Sequence, residues 1–97
     1  MLIRFVKLEF HPEHAETFAA FFAEEAKGIR AYPGCSHVEA FRDLDNPNRF
    51  FTRSHWDSAD ALEHYRSSDF FRGNWTTVKA WFAAKPAAWS VAALPAD

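Results

Sequence analysis

The chain has 97 residues, 48% hydrophobic and 18% aromatic, and its eleven Lys and Arg against thirteen Asp and Glu give a formal charge of -2. That length makes one domain over residues 1–97, and the absence of a basic block argues against nucleic acid as a partner. No apolar run approaches the roughly 18–20 residues that span a bilayer, no signal pattern opens the chain, and the lone Cys35 suits a reducing compartment, so a cytoplasmic protein with no membrane partner is expected.

Eleven Phe and four Trp exceed what a minimal core needs, which points to aromatic surface at a pocket or a subunit interface. Residues 2 to 10 read as a strand, with Val6, Leu8 and Phe10 on one face and Ile3, Phe5, Lys7 and Glu9 on the other. His11-Pro12-Glu13 breaks it. Phe18, Phe22, Ala26 and Ile29 then recur at helical spacing, predicting an amphipathic helix over about residues 13 to 31. Tyr32-Pro33-Gly34 ends that helix.

Residues 35 to 42 and 49 to 56 read as strands around the turn-forming run Asp43 to Asn48. Centring the hairpin near Asn46 pairs His37 with His55, Glu39 with Arg53 and Phe41 with Phe51 on one face. The other face then pairs Ser36 with Trp56, Val38 with Ser54 and Ala40 with Thr52. Asp57 or Ser58 caps a helix from about residue 58 to 67, whose apolar positions are Ala61, Leu62 and Tyr65. Ser67-Ser68 interrupts it, and a further helix is expected from 69 to 84 on the stripe of Phe71, Trp75, Val78 and Phe82, ended by Pro86. Trp89, Val91 and Ala93 alternate as a last strand, and the tail from Leu94 to Asp97 is expected to be loose.

This order is β-α-β-β-α-β, an α+β ferredoxin-like arrangement with a four-stranded antiparallel sheet and helices on one face. Ile3, Phe5, Phe41 and Phe51 would lie on the uncovered face, so a homodimer formed sheet to sheet is expected.

With its elements in this order, the chain resembles the antibiotic biosynthesis monooxygenase (ABM) family of the dimeric α+β barrel superfamily over nearly its whole length. The resemblance is carried by the strand exit from Lys7 to Pro12, the Tyr32-Pro33-Gly34-Cys35 turn, the Trp56-Asp57-Ser58 junction, Phe70-Phe71 and the closing segment from Lys85-Pro86 to Ser90. The superfamily includes cofactor-independent oxygenases of aromatic compounds, haem-degrading enzymes and isomerases, and fold alone does not choose among them. The haem-degrading branch needs a His for iron, an Asn on the first strand and a second Trp; counted from Trp56, those places hold Trp75, Val6 and Tyr65. Other members carry a His nine residues after the junction aromatic, where this chain has Tyr65. His64 is one residue off, which on a helix turns the side chain by about 100 degrees.

Trp56, Tyr65 and Trp75 are expected to converge between sheet and helices, beside residues small enough to leave room. A flat aromatic small molecule would stack there, oriented by the Thr52 and Ser54 hydroxyls and the indole N–H groups. The same spacing also fits aromatics that only fill the core. His37, His55 and Glu39 share the other face, a ligand set for zinc or non-haem iron, though Arg53 competes for the carboxylate and a polar dimer interface is the preferred reading. His37 or His55 would also serve as a base, since imidazole titrates near neutrality. Arg42 is placed at the mouth of the cleft, facing an acidic substrate group or simply solvent. His11 and His14 read as solvated, and Cys35 as a small buried residue rather than a nucleophile.

Together these point to a cofactor-independent monooxygenase of a small aromatic or quinol-like compound, with Trp56, Tyr65, His37 and His55 as catalytic candidates and no metal or cofactor. A non-catalytic binding or dimerisation domain, or a His-dependent isomerase, is the alternative.

Overall fold

A computed structural model describes residues 1–96, and Asp97, the end of the tail expected to be loose, lies outside them. Strand β1 (Leu2–Glu9) leads through a 3-10 turn at Pro12–His14 into helix α1 (Ala15–Arg30), followed by β2 (Cys35–Arg42) and β3 (Arg49–Trp56). Helices α2 (Ala59–Arg66) and α3 (Asp69–Lys79) follow, and β4 (Ala87–Val91) closes the sheet in the order β2-β3-β1-β4, every neighbouring pair antiparallel. Residues 92–96 have no regular structure.

The hairpin register follows the turn chemistry. His37 lies opposite His55, Glu39 opposite Arg53 and Phe41 opposite Phe51, with Val38 and Ser54, and Ala40 and Thr52, paired on the other face. One expected pair differs: Trp56 lies opposite Cys35, not Ser36, because the register shifts between Cys35 and His37. The extra residue brings Cys35 to the helix-covered face beside Trp56, where it packs against the second buried cluster as the chain leaves the Gly34 turn. Gly34 itself has φ of +90°, a region that L side chains rarely enter.

Ser58, rather than Asp57, caps α2 by accepting from the Ala61 amide at 3.1 Å. Ser68 joins α2 to α3, since its Oγ donates to the Tyr65 carbonyl at 2.6 Å and accepts from the Phe71 amide at 3.1 Å. Helix α3 stops at Lys79, five residues before the expected end at 84. Trp81 and Phe82 continue the helical spacing, yet their backbone pairs with the end of β1 instead. The His11 amide donates to the Trp81 carbonyl at 3.0 Å, Ala83 N–H donates to the Glu9 carbonyl at 2.9 Å, and Phe82 bridges to Phe10 with rings 5.3 Å apart. Long-range pairing of backbone groups outweighs a local apolar period here. His14, expected in solvent, lies against Trp81 at 5.8 Å.

The core has two parts. Leu8, Phe10, Ala15, Phe18, Phe50 and Val78 form one, and Ala26, Ile29, Val38, Trp56, Leu62 and Tyr65 form the other. On the far side of the sheet no helix of the described residues packs, and Phe5, Phe41, Trp89 and Val91 remain exposed, Trp89 at 51% and Phe41 at 45%.

Candidate functional site

A cavity of about 280 Å³ lies between the helices and the covered face of the sheet, walled by members of both core clusters. The strand period of two aims Arg4, Val6 and Leu8 of β1, and Thr52, Ser54 and Trp56 of β3, at this space. Helix α1 contributes Phe18, Phe22, Glu25 and Ile29, and α2 and α3 contribute Tyr65, Arg66, Phe71, Asn74, Trp75 and Val78. Trp56, Tyr65, Trp75, Thr52 and Ser54 therefore converge as the sequence implied.

Trp56 is 1% exposed, stacks on Tyr65 at 4.8 Å between centroids, and donates its indole N–H to Ser54 Oγ at 2.9 Å. That indole donor was expected to orient a ligand; it is already used inside the wall. Trp75 stacks on Phe71 at 5.8 Å and packs beside Phe82. The one-residue offset of His64 acts as a helix requires, turning its Nδ1 to the Tyr32 hydroxyl, 3.2 Å away, while Tyr65 faces the cavity.

His37 and His55 stand on the uncovered face, remote from these aromatics, with ring centroids 5.0 Å apart. The Glu39–Arg53 pair expected across the strands is replaced by neighbours along them: His37 meets Glu39 at 3.0 Å, and Arg53 Nε donates to His55 Nε2 at 2.9 Å. Burial and then the Arg53 charge hold the His55 pKa below its ordinary value. Among the described residues, no group of three or more His, Cys, Asp or Glu side chains is placed to hold a metal ion. Arg42 does not reach the cavity. Its guanidinium pairs with Glu16 at 2.7 Å, donates to the Pro47 carbonyl at 2.7 Å and sits 5.0 Å over the Phe50 ring. Burial pushes the thiol pKa of the half-buried Cys35 up, the direction opposite to that of an activated nucleophile.

Four polar residues of the cavity were not singled out from sequence: Arg4, Glu25, Arg66 and Asn74. Burial pushes the Glu25 carboxyl up to about 7, with neither a hydrogen bond nor a cation to offset it. Burial, and next the Glu25 charge, also raises the Tyr65 hydroxyl. Each had a signal. Glu25 continues the Phe18, Phe22, Ile29 stripe at spacings of four, three and four, and Arg4 interrupts the alternating apolar face of Leu2, Val6 and Leu8. A titratable group at a core-facing position is the pattern that marks it.

The family model for antibiotic biosynthesis monooxygenase matches residues 1–73. No curated protein matches the chain in sequence. Among solved structures, an antibiotic biosynthesis monooxygenase is 20% identical with a TM-score of 0.90, covering 98% of this chain and 100% of its own. Rv0793 from Mycobacterium tuberculosis is 17% identical with a TM-score of 0.87, covering 98% of this chain and 96% of its own. A mutant of SnoaB, a cofactor-independent oxygenase from Streptomyces nogalater, is 20% identical with a TM-score of 0.84, covering 98% of this chain and 95% of its own. At these identities the likeness is one of fold.

Proposed function

Because the chain belongs to the antibiotic biosynthesis monooxygenase family, we propose that it is a cofactor-independent monooxygenase of a small hydroxylated aromatic or quinol-like compound. The observation that carries this reading is Glu25, a carboxyl poised near neutrality in the wall of an aromatic cavity. Among the described residues no histidine lines that cavity, and the raised Tyr65 hydroxyl is a poor base near neutral pH, so the proton falls to Glu25.

In this mechanism Tyr65 and Trp75, backed by the buried Trp56, hold the substrate ring flat against the helices. The Glu25 carboxylate takes the proton of the ring hydroxyl. The resulting anion is the electron donor to dioxygen: a carbon–oxygen bond forms, the O–O bond breaks, one oxygen atom stays on the ring as a carbonyl and the other leaves as water with the ring and hydroxyl hydrogens. Apolar walls favour the step by keeping bulk water from the anion and from the oxygenated intermediate.

We read the uncovered sheet face as the surface of a homodimer, since Phe5, Phe41, Trp89 and Val91 are exposed together there. His37 and His55 would then be interface groups. No helix of the described residues is long and apolar enough to cross a membrane, and we place the protein in the cytoplasm.

The test is oxygen uptake by purified protein with a panel of naphthols and naphthoquinols, run beside Glu25→Gln. Uptake that exceeds the spontaneous rate, is lost in Glu25→Gln and puts one atom of isotopically labelled dioxygen into the product supports the reading. No enzyme-dependent uptake across the panel, or full activity in Glu25→Gln, sinks it.

A further inference from the structure

Two arginines line the cavity from opposite layers, Arg4 from the centre of the sheet and Arg66 from the last turn of α2. Arg4 occupies a β1 position flanked by Ser54 on β3 and Ser90 on β4, and its Nη1 donates to Ser90 Oγ at 3.0 Å. The one carboxylate paired with either guanidinium among the described residues is Glu63, 3.8 Å from Arg66 Nη1 and on the exposed side of α2. Glu25, the carboxyl of the cavity wall, forms no ion pair with either of them. The two cations also repel, and the Arg66 charge adds to burial in lowering the Arg4 pKa. Arg4 is half-buried and Arg66 exposed at the cavity's edge, and an anion between two like charges so placed would relieve their repulsion.

A second observation is independent of charge. Asn74 Nδ2 is buried in the cavity wall with no hydrogen-bond partner, and an orphaned buried donor is destabilising until something supplies an acceptor oxygen. The wall thus presents an excess of donors from Arg4, Arg66 and Asn74 beside aromatic faces.

Resting on the reading of this cavity as the substrate site, we propose that its ligand is an aromatic acid whose carboxylate is held by Arg4 and Arg66, with Asn74 donating to one of its oxygens. Guanidinium–carboxylate hydrogen bonds are among the stronger polar contacts, and here they would fix which edge of the ring turns toward Glu25.

The test is calorimetric titration of the whole chain with 2-naphthoate and with 2-naphthamide, its neutral counterpart of nearly equal shape. The carboxylate should bind about tenfold tighter or more. Arg4→Met and Arg66→Met should each remove that preference while leaving the amide's affinity unchanged, and raising the ionic strength tenfold from about 50 mM should weaken the carboxylate alone. Arg66 is at the exposed end of α2, so Arg66→Met remains informative if Arg4→Met fails to fold by circular dichroism. Equal affinity for the two probes, binding of neither, or variants that weaken both alike overturns the proposal. Because binding is read without turnover, absent oxygen uptake refutes the oxygenase reading and leaves the carboxylate preference to be decided here.

Discussion

Replacing Glu25 by Gln separates stability from function in opposite directions. A carboxyl raised from 4.5 to about 7 in the folded chain binds its proton more tightly folded than unfolded. Its contribution to stability is therefore fully present below about pH 4.5 and is lost as pH rises to about 7. A shift of about 2.5 units at 1.36 kcal/mol each amounts to about 3 kcal/mol. Gln has nearly the same shape and never ionises, so Glu25→Gln should match the parent near pH 4 and exceed it by about 3 kcal/mol at pH 8. Urea unfolding of both proteins at four or five pH values, followed by Trp fluorescence, measures this directly, since other groups cancel in the difference. The neighbouring Tyr65 hydroxyl, raised further above its ordinary value, stays neutral across that range. A difference that stays flat from pH 4 to 8 would refute the claim that an uncompensated carboxyl is buried there. The same variant should be catalytically dead, so gain of stability with loss of turnover is the joint signature.

Trp56→Phe empties part of a fully buried site and leaves Ser54 Oγ without its indole donor; chemical unfolding should show a loss of about 2 kcal/mol. Gly34→Ala forces a side chain into φ of +90° and sets its Cβ 2.6 Å from the Ala61 Cβ, so about 2 kcal/mol or more should be lost, and a neutral outcome by thermal unfolding would contradict the turn geometry. Ser68→Ala removes both hydrogen bonds that join α2 to α3 and should cost about 1–2 kcal/mol, read as a lowered urea midpoint. Phe5→Glu puts a charge on the uncovered face, where Phe5 lies opposite Arg53 and Trp89. Analytical ultracentrifugation should show the parent as a dimer and the variant as a monomer, and a monomeric parent would remove the dimer reading.

Much of this protein was legible from its sequence because its elements are specified locally. Apolar residues at a period of two set the strands, the Phe18, Phe22, Ile29 spacing set α1, and the Asp43 to Asn48 turn set the hairpin register from Arg42 back to His37, up to the bulge that puts Cys35 instead of Ser36 opposite Trp56. The convergence of Trp56, Tyr65 and Trp75 followed, because each lies at a core-facing position of its own element. What escaped was whatever depended on a distant partner. The helical spacing of Trp81 and Phe82 was overridden when their backbone paired with β1. The partners of the polar side chains were also decided in three dimensions: His37 took Glu39, Arg42 took Glu16, Glu25 and Arg4 were left lining a cavity with no counter-charge among the described residues, and Asn74 was left with no acceptor for its Nδ2. Periodicity tells which way a side chain points. Only the packing of helices on the sheet decides whether what it meets is water, a counter-charge or an empty space waiting for a ligand.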